Sequence, residues 1–151
     1  MHILASLVLL LCLSSATAGV EVDPVLEVNA SVPGYLARIE KNDPKEVEQA
    51  LHKAEQYYID NNMSPTLPVI AFILHGPEVE IFFRDNYRRY KPIVDLAARL
   101  SALNVVDIKV CRTRLRFLET DVTNLFPFVG SVPFGPEEIE RLTGEEGFVY
   151  F

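Results

Sequence analysis

Cysteine is scarce in this chain of 151 residues: there are two, and Cys12 lies in an apolar stretch at the N-terminus. Cys111 is therefore alone in the remainder and cannot close an internal disulfide. Histidine is almost as scarce, at three residues. With His2 lost in a cleaved leader, His52, His75 and Cys111 do not form a zinc-ligand spacing. There is no glycine-rich phosphate loop and no G-x-S-x-G elbow. No metal and no cofactor is expected. Basic charge is in deficit, with 14 Lys and Arg against 21 Asp and Glu, a net charge of −7. An acidic surface repels phosphate backbones, which argues against nucleic acid as a partner. Beyond the N-terminal stretch, no apolar run is long enough for a stable membrane span.

What is present begins with a leader pattern. Ile3 to Leu13 is almost wholly apolar, Ser14-Ser15 follows, and Ala16-Thr17-Ala18 is the small-x-small pattern of a cleavage site. Residues 1–18 are read as a signal peptide cut after Ala18, which places the mature protein in the periplasm or outside the cell. The competing reading is an apolar first strand. Residues 1–18 carry no Asp, Glu, Lys or Arg, so the whole net charge falls on the mature part. Residues 19–34, punctuated by Pro24, Pro33 and Gly34, read as an extended lead-in. Residues 35–151 have the length of one domain.

Within that domain, strands and helices alternate. Tyr35 to Glu40 is a weak first strand. Asp43, Pro44 and Glu46 form a helix start of the capping-box type. Val47, Ala50, Leu51, Ala54, Tyr57 and Tyr58 then recur at helical spacing, and Asn61-Asn62 and Pro65 end the run. Leu67 to Leu74 is apolar at nearly every position, as a strand buried on both faces reads. His75-Gly76-Pro77 closes it, and a short helical piece follows at 78–83. A second helix starts near Pro92, with Ile93, Leu96, Ala97, Leu100 and Leu103 on one stripe. Val105 to Val110 is the next strand. Segment 112–118 reads as a short helix and 128–132 as a strand. Residues 135–143 form a helix stopped by Gly144, and 147–151 a last strand. Such alternation implies an α/β fold with a mostly parallel five-stranded sheet and helices on both faces.

In such sheets the chemistry gathers at the carboxyl ends of the strands, where Cys111 lies. Arg112, Arg114 and Arg116 follow it, and positive charge favours the nucleophilic thiolate. The alternative is a buried core cysteine, common for a free thiol. His75 ends the preceding strand, and a Cys–His pair is a standard means of activating a thiol; the alternative is a turn histidine bonded to backbone. In a 2-1-3-4-5 strand order the first strand separates the two, and Lys41 and Asn42 stand nearer to Cys111. Asp43 and Glu46 are better explained as caps than as an acid–base pair. The Phe82-Phe83 and Tyr57-Tyr58 pairs suit a core or a subunit contact.

The order of several features resembles the DsrE/DsrF-like family, in particular its small exported members, across residues 35–151. These features are the strand end Leu74-His75-Gly76 and the helix leading into Ile108-Lys109-Val110-Cys111. They continue with the strand Phe128-Val129-Gly130-Ser131-Val132-Pro133, a helix, and the terminal Gly147-Phe148-Val149-Tyr150. The resemblance implies a three-layer α/β/α sandwich and homo-oligomers, trimers or hexamers. It implies a sulfur-carrying role in which a cysteine after the third strand, here Cys111, takes and passes on persulfide sulfur. Sulfur donor and acceptor proteins, or small sulfane-sulfur species, would then be the partners. His75, Arg112, Arg114 and Asn42 are supporting candidates. The alternative is a non-catalytic oligomeric binding module with a structural cysteine.

Overall fold

A computed structural model describes residues 32–151. The leader expected at 1–18, and the expected lead-in at 19–34 as far as residue 31, lie outside the described residues. Five parallel strands form one sheet in the order β4-β3-β2-β1-β5. They are β1 (Tyr35–Leu36), β2 (Ile70–Leu74), β3 (Val106–Cys111), β4 (Val129–Val132) and β5 (Val149–Tyr150). The helices are α1 (Pro44–Asp60), α2 (Tyr87–Ala102), α3 (Arg112–Phe117) and α4 (Gly135–Glu140), the last continuing as a π turn over Arg141–Glu145.

The start of α1 follows its sequence signals. The Asp43 carboxylate accepts the Glu46 N–H at 2.8 Å, and Pro44 takes the first turn, where its missing N–H costs nothing. The Glu46 carboxylate turns back and accepts the N–H groups of Glu40, Lys41 and Asn42 at 2.8, 2.7 and 3.1 Å. One glutamate thus shapes the loop after β1 as well as the helix. Val47, Leu51 and Ala54 face the sheet and are fully buried; a side chain such as Leu51 contributes about 1.5–3 kcal/mol by that burial. The Arg99–Glu55 ion pair, at 2.7 Å, ties α2 to α1.

The sheet separates two apolar layers. Ile70, Phe72 and Leu74 of β2 and Val106, Ile108 and Val110 of β3 pack with α1, α2 and Leu115 of α3. Ala71 and Ile73 face the opposite way, with Leu36, Val132, and Ile139 and Leu142 of the α4 segment. This period-2 division of two strands buried on both faces makes a three-layer α/β/α sandwich. From β1 to β4 each strand adds beside its predecessor, with its connection on the α1–α2 side. From β4 the chain passes over the other face and returns beside β1.

Several expected boundaries shift for physical reasons. β1 and β5 are two residues each rather than 35–40 and 147–151. The second strand begins at Ile70, not Leu67; Pro68 has no N–H to give to a ladder. The second helix begins at Tyr87 rather than near Pro92. Tyr90 departs from helical geometry (φ −114°, ψ 18°), so a first turn precedes the kink and Pro92 lies at the start of the longer part. Leu103 is not on the inward stripe; it follows the last residue of α2 and is exposed. Gly144 does not stop the last helix, because the π turn runs through it.

Candidate functional site

Strand order decides which residues can meet. β2 and β3 are neighbours, in register from Ile70↔Val106 to Leu74↔Val110. His75 and Cys111 are therefore the next pair, on strands about 4.8 Å apart. The 2-1-3-4-5 arrangement, with β1 between them, does not occur. Leu74 and Val110 point into the α1–α2 layer, so alternation turns His75 and Cys111 together toward α4. Asn42 is not beside Cys111; it packs against Gly76, on the far side of His75.

The location follows from topology. β3 leads into α3, whose Leu115 is buried with the α1–α2 layer, whereas β4 leads into α4 on the opposite face. Connections that leave adjacent strands toward opposite faces open a crevice at their carboxyl ends. There, His75, Cys111, Thr113, Arg114, Phe117, Phe134 and Pro136 line a cleft of about 220 Å³. The Thr113 hydroxyl donates to the Pro133 carbonyl at 3.1 Å, which ties the start of α3 to the segment after β4.

Gly135 closes the site from above. A Cβ at this position would lie 2.7 Å from the His75 Cβ and 3.4 Å from the Cys111 Cβ. Only a residue without a side chain lets α4 settle this closely over the pair. The helix is held by its charges: the Arg141 guanidinium donates to both oxygens of Glu138, at 2.7 and 2.9 Å. Lys109 of β3 adds a longer contact with Glu138, at 3.8 Å. The Arg141 hydrogen bonds, opposed in part by burial, hold the Glu138 carboxyl below its ordinary range.

The thiol itself is covered: Cys111 is a free cysteine and 2 % exposed. The rim is not. Phe117 is 74 % exposed and Phe134 about half exposed, and the Arg114 guanidinium stacks over the Phe117 ring at 4.9 Å. Among the described residues, Arg112, Arg114 and Arg116 take part in no ion pair. Their charge is left to the cleft and to solvent. The three arginines divide by helical position: Arg114 lines the Cys111 cleft, whereas Arg112 and Arg116 face a separate one with Thr120, Asp121 and Val122. The site thus joins His75, Cys111 and Arg114, and leaves Arg112 and Asn42 outside its lining. Among the described residues no cluster of three metal-ligating side chains occurs, and no helix is long and apolar enough to cross a membrane.

Two residues of the site gave little sign in the sequence. Gly135 was legible only as a helix start beside Pro136. Glu78 opens the segment Glu78-Val79-Glu80-Ile81-Phe82-Phe83, in which two acids alternate with apolar residues, and it proves to be fully buried, at 0 % exposure. Nothing in that alternation separates Glu78 from Glu80, which is only half-buried.

No family model matches the chain, and no curated protein matches it. Among solved structures, it is similar to a protein of unknown function, MTH1491 from Methanobacterium thermoautotrophicum. The TM-score is 0.62 at 21 % sequence identity, over 78 % of this chain and 96 % of the other. At that identity the likeness supports the α/β fold alone.

Proposed function

We propose that this chain is an exported DsrE/DsrF-like protein that carries sulfane sulfur as a persulfide on Cys111. The observation that carries this reading is the pairing of Cys111 with His75 at the ends of adjacent strands, in one cleft with Arg114. The motif order from Leu74-His75-Gly76 to Gly147-Phe148-Val149-Tyr150 supports the family.

The chemistry is an exchange between sulfurs. His75 accepts the Cys111 thiol proton. The thiolate attacks the outer sulfur of a donor persulfide, R–S–SH; a bond forms to Cys111, the donor S–S bond breaks, and R–S⁻ leaves. Cys111–S–SH then gives its outer sulfur to an acceptor thiolate by the same step, and the Cys111 thiolate returns. The sulfur passes on at unchanged oxidation level, so no outside oxidant or reductant is needed. Arg114 supplies positive charge at the cleft wall, where the persulfide anion would form.

The test is mass spectrometry of the folded protein after exposure to polysulfide, followed by an acceptor thiol. Cys111 should gain the mass of one sulfur atom and lose it to the acceptor, and Cys111→Ala should gain none. An equal adduct on Cys111→Ala, or none on the folded wild type, would sink the reading. The 2 % exposure of the thiol favours a second reading, a non-catalytic oligomeric module with a structural cysteine. That reading expects alkylation of Cys111 no faster than global unfolding. Export predicts a secreted form beginning at Gly19, read by N-terminal sequencing. Homo-oligomers, trimers or hexamers in this reading, are measured by sedimentation.

A further inference from the structure

Glu78 is the one fully buried charged side chain among the described residues, and the exchange chemistry makes no use of it. Its Oε1 accepts the backbone N–H of His75 and that of Gly76, both at 2.9 Å. These are the first two amides beyond β2, where ladder bonding has ended. Without an acceptor they would be orphaned at the edge of the core. Glu78 lies in the 3-10 segment Pro77–Phe82, whose Val79, Ile81 and Phe82 are themselves fully buried. The carboxylate is thus anchored from behind by the core and grips the turn from inside. Its other oxygen, Oε2, has no partner, and neither does the buried Oδ1 of Asn42. Both residues press on Gly76: a Cβ there would lie 2.5 Å from Oε2 and 2.6 Å from the Asn42 Cβ. Asn42 holds a left-handed backbone (φ 53°), and its N–H is fixed by Glu46. The loops after β1 and β2 therefore meet at Gly76, with Glu78 beneath both.

We infer that Glu78 is the positioning residue of the Cys111 site: by accepting the His75 and Gly76 amides on one buried oxygen, it fixes the backbone that carries the imidazole into the cleft it shares with Cys111. The inference rests on the sulfur-carrier reading for its purpose, but its geometry can be tested apart from that reading. A charged group with two charge-assisted hydrogen bonds is worth more than a neutral acceptor. The function described, however, needs only an acceptor of the right reach. Glutamine keeps that acceptor, and methionine fills similar space without it.

The experiment compares wild type, Glu78→Gln, Glu78→Met and His75→Ala by two readouts. The first is hydrogen exchange at the amides of His75 and Gly76, measured against that of Phe72 in the middle of β2. The second is the pH midpoint of Cys111 alkylation by iodoacetamide. In Glu78→Met the two amides should exchange at least about tenfold faster relative to Phe72, the effect of one lost hydrogen bond. Its alkylation midpoint should shift to that of His75→Ala. Glu78→Gln should retain the wild-type midpoint and the protection. A folded Glu78→Met with wild-type exchange at both amides would overturn the inference, as would loss of protection in Glu78→Gln. If Glu78→Met does not fold, Glu78→Gln alone decides, by keeping or losing the midpoint and the protection together. If His75→Ala leaves the alkylation midpoint unchanged, the His–Cys pairing fails as chemistry, and the exchange readout still judges Glu78.

Discussion

Replacing Gly135 with alanine adds one methyl group at the tightest point of the site. That carbon would lie 2.7 Å from the His75 Cβ, whereas non-bonded carbons sit best at about 3.5–4.0 Å. The gap is short by about 1 Å. Both atoms are close to backbone, so no long side chain can swing away, and α4 must move back from β2. Overpacking of this kind costs about 1–3 kcal/mol. The gain in helix propensity, at most about 1 kcal/mol in a helix interior, is smaller at a first helical residue. A net loss of about 1–2 kcal/mol follows. With a urea slope of about 2 kcal/mol per molar, the middle of the usual range, the unfolding midpoint should fall by roughly 0.5–1 M.

The same substitution at Gly144 supplies the internal control. Nothing lies within 4 Å of a Cβ built there, and the backbone is not in the left-handed region. Gly144→Ala should be neutral or stabilise by up to about 1 kcal/mol, mainly by restricting the unfolded chain. Alkylation of Cys111 adds a local readout: it should accelerate in Gly135→Ala, because the helix covering the thiol has been lifted, and stay unchanged in Gly144→Ala. A Gly135→Ala midpoint equal to or above that of wild type would refute the reasoning. So would an equal fall for both variants, since that would make glycine content, not the space beside His75, the cause.

Two ionisations give further predictions. Burial, with the Tyr35 phenol beside it, pushes Tyr57 up to about 12 from 10.0, so its phenolate absorbance should emerge about two pH units after that of an ordinary tyrosine. Because the folded state holds this proton more tightly, its contribution to stability is complete below pH 10 and is lost as the pH rises from there toward 12; a Tyr57→Phe variant should lack that part of the alkaline loss. Glu138 shifts the other way, lowered from 4.5 chiefly by the Arg141 hydrogen bond. Its contribution is present above 4.5 and is lost as the pH falls below that value toward the folded pKa. Arg141→Ala should raise the Glu138 carboxyl resonance midpoint in an NMR titration and make the protein less stable at pH 7. The gap between the two proteins should close in acid; a gap of equal size at pH 7 and at pH 2 would refute the assignment.

The sequence shows the elements of this molecule better than it shows their neighbours, and the reason is physical. Leu67 to Leu74 announces a strand buried on both faces because it is apolar at nearly every position and too short for a buried helix. Asp43, Pro44 and Glu46 announce a helix start because capping is local chemistry, settled within a few residues. Nothing local settles whether β2 lies against β3 or β1 lies between β3 and β2. That depends on α1 and α2 covering the same face of the sheet, with Leu51 and Leu100 in one layer, and each is simply an apolar residue on a helix stripe. The Cys111 site inherits this division. That the thiol ends a strand was legible from Val105 to Val110; that His75 is its neighbour depended on strand order. The closure by Gly135 and the grip of Glu78 on the His75 turn depended on packing around that order. Glu78 makes the point most sharply. A glutamate in a short helical piece reads as a solvent-facing residue until the fold puts two unsatisfied amides over it, and its burial then makes sense only as part of the turn that carries His75.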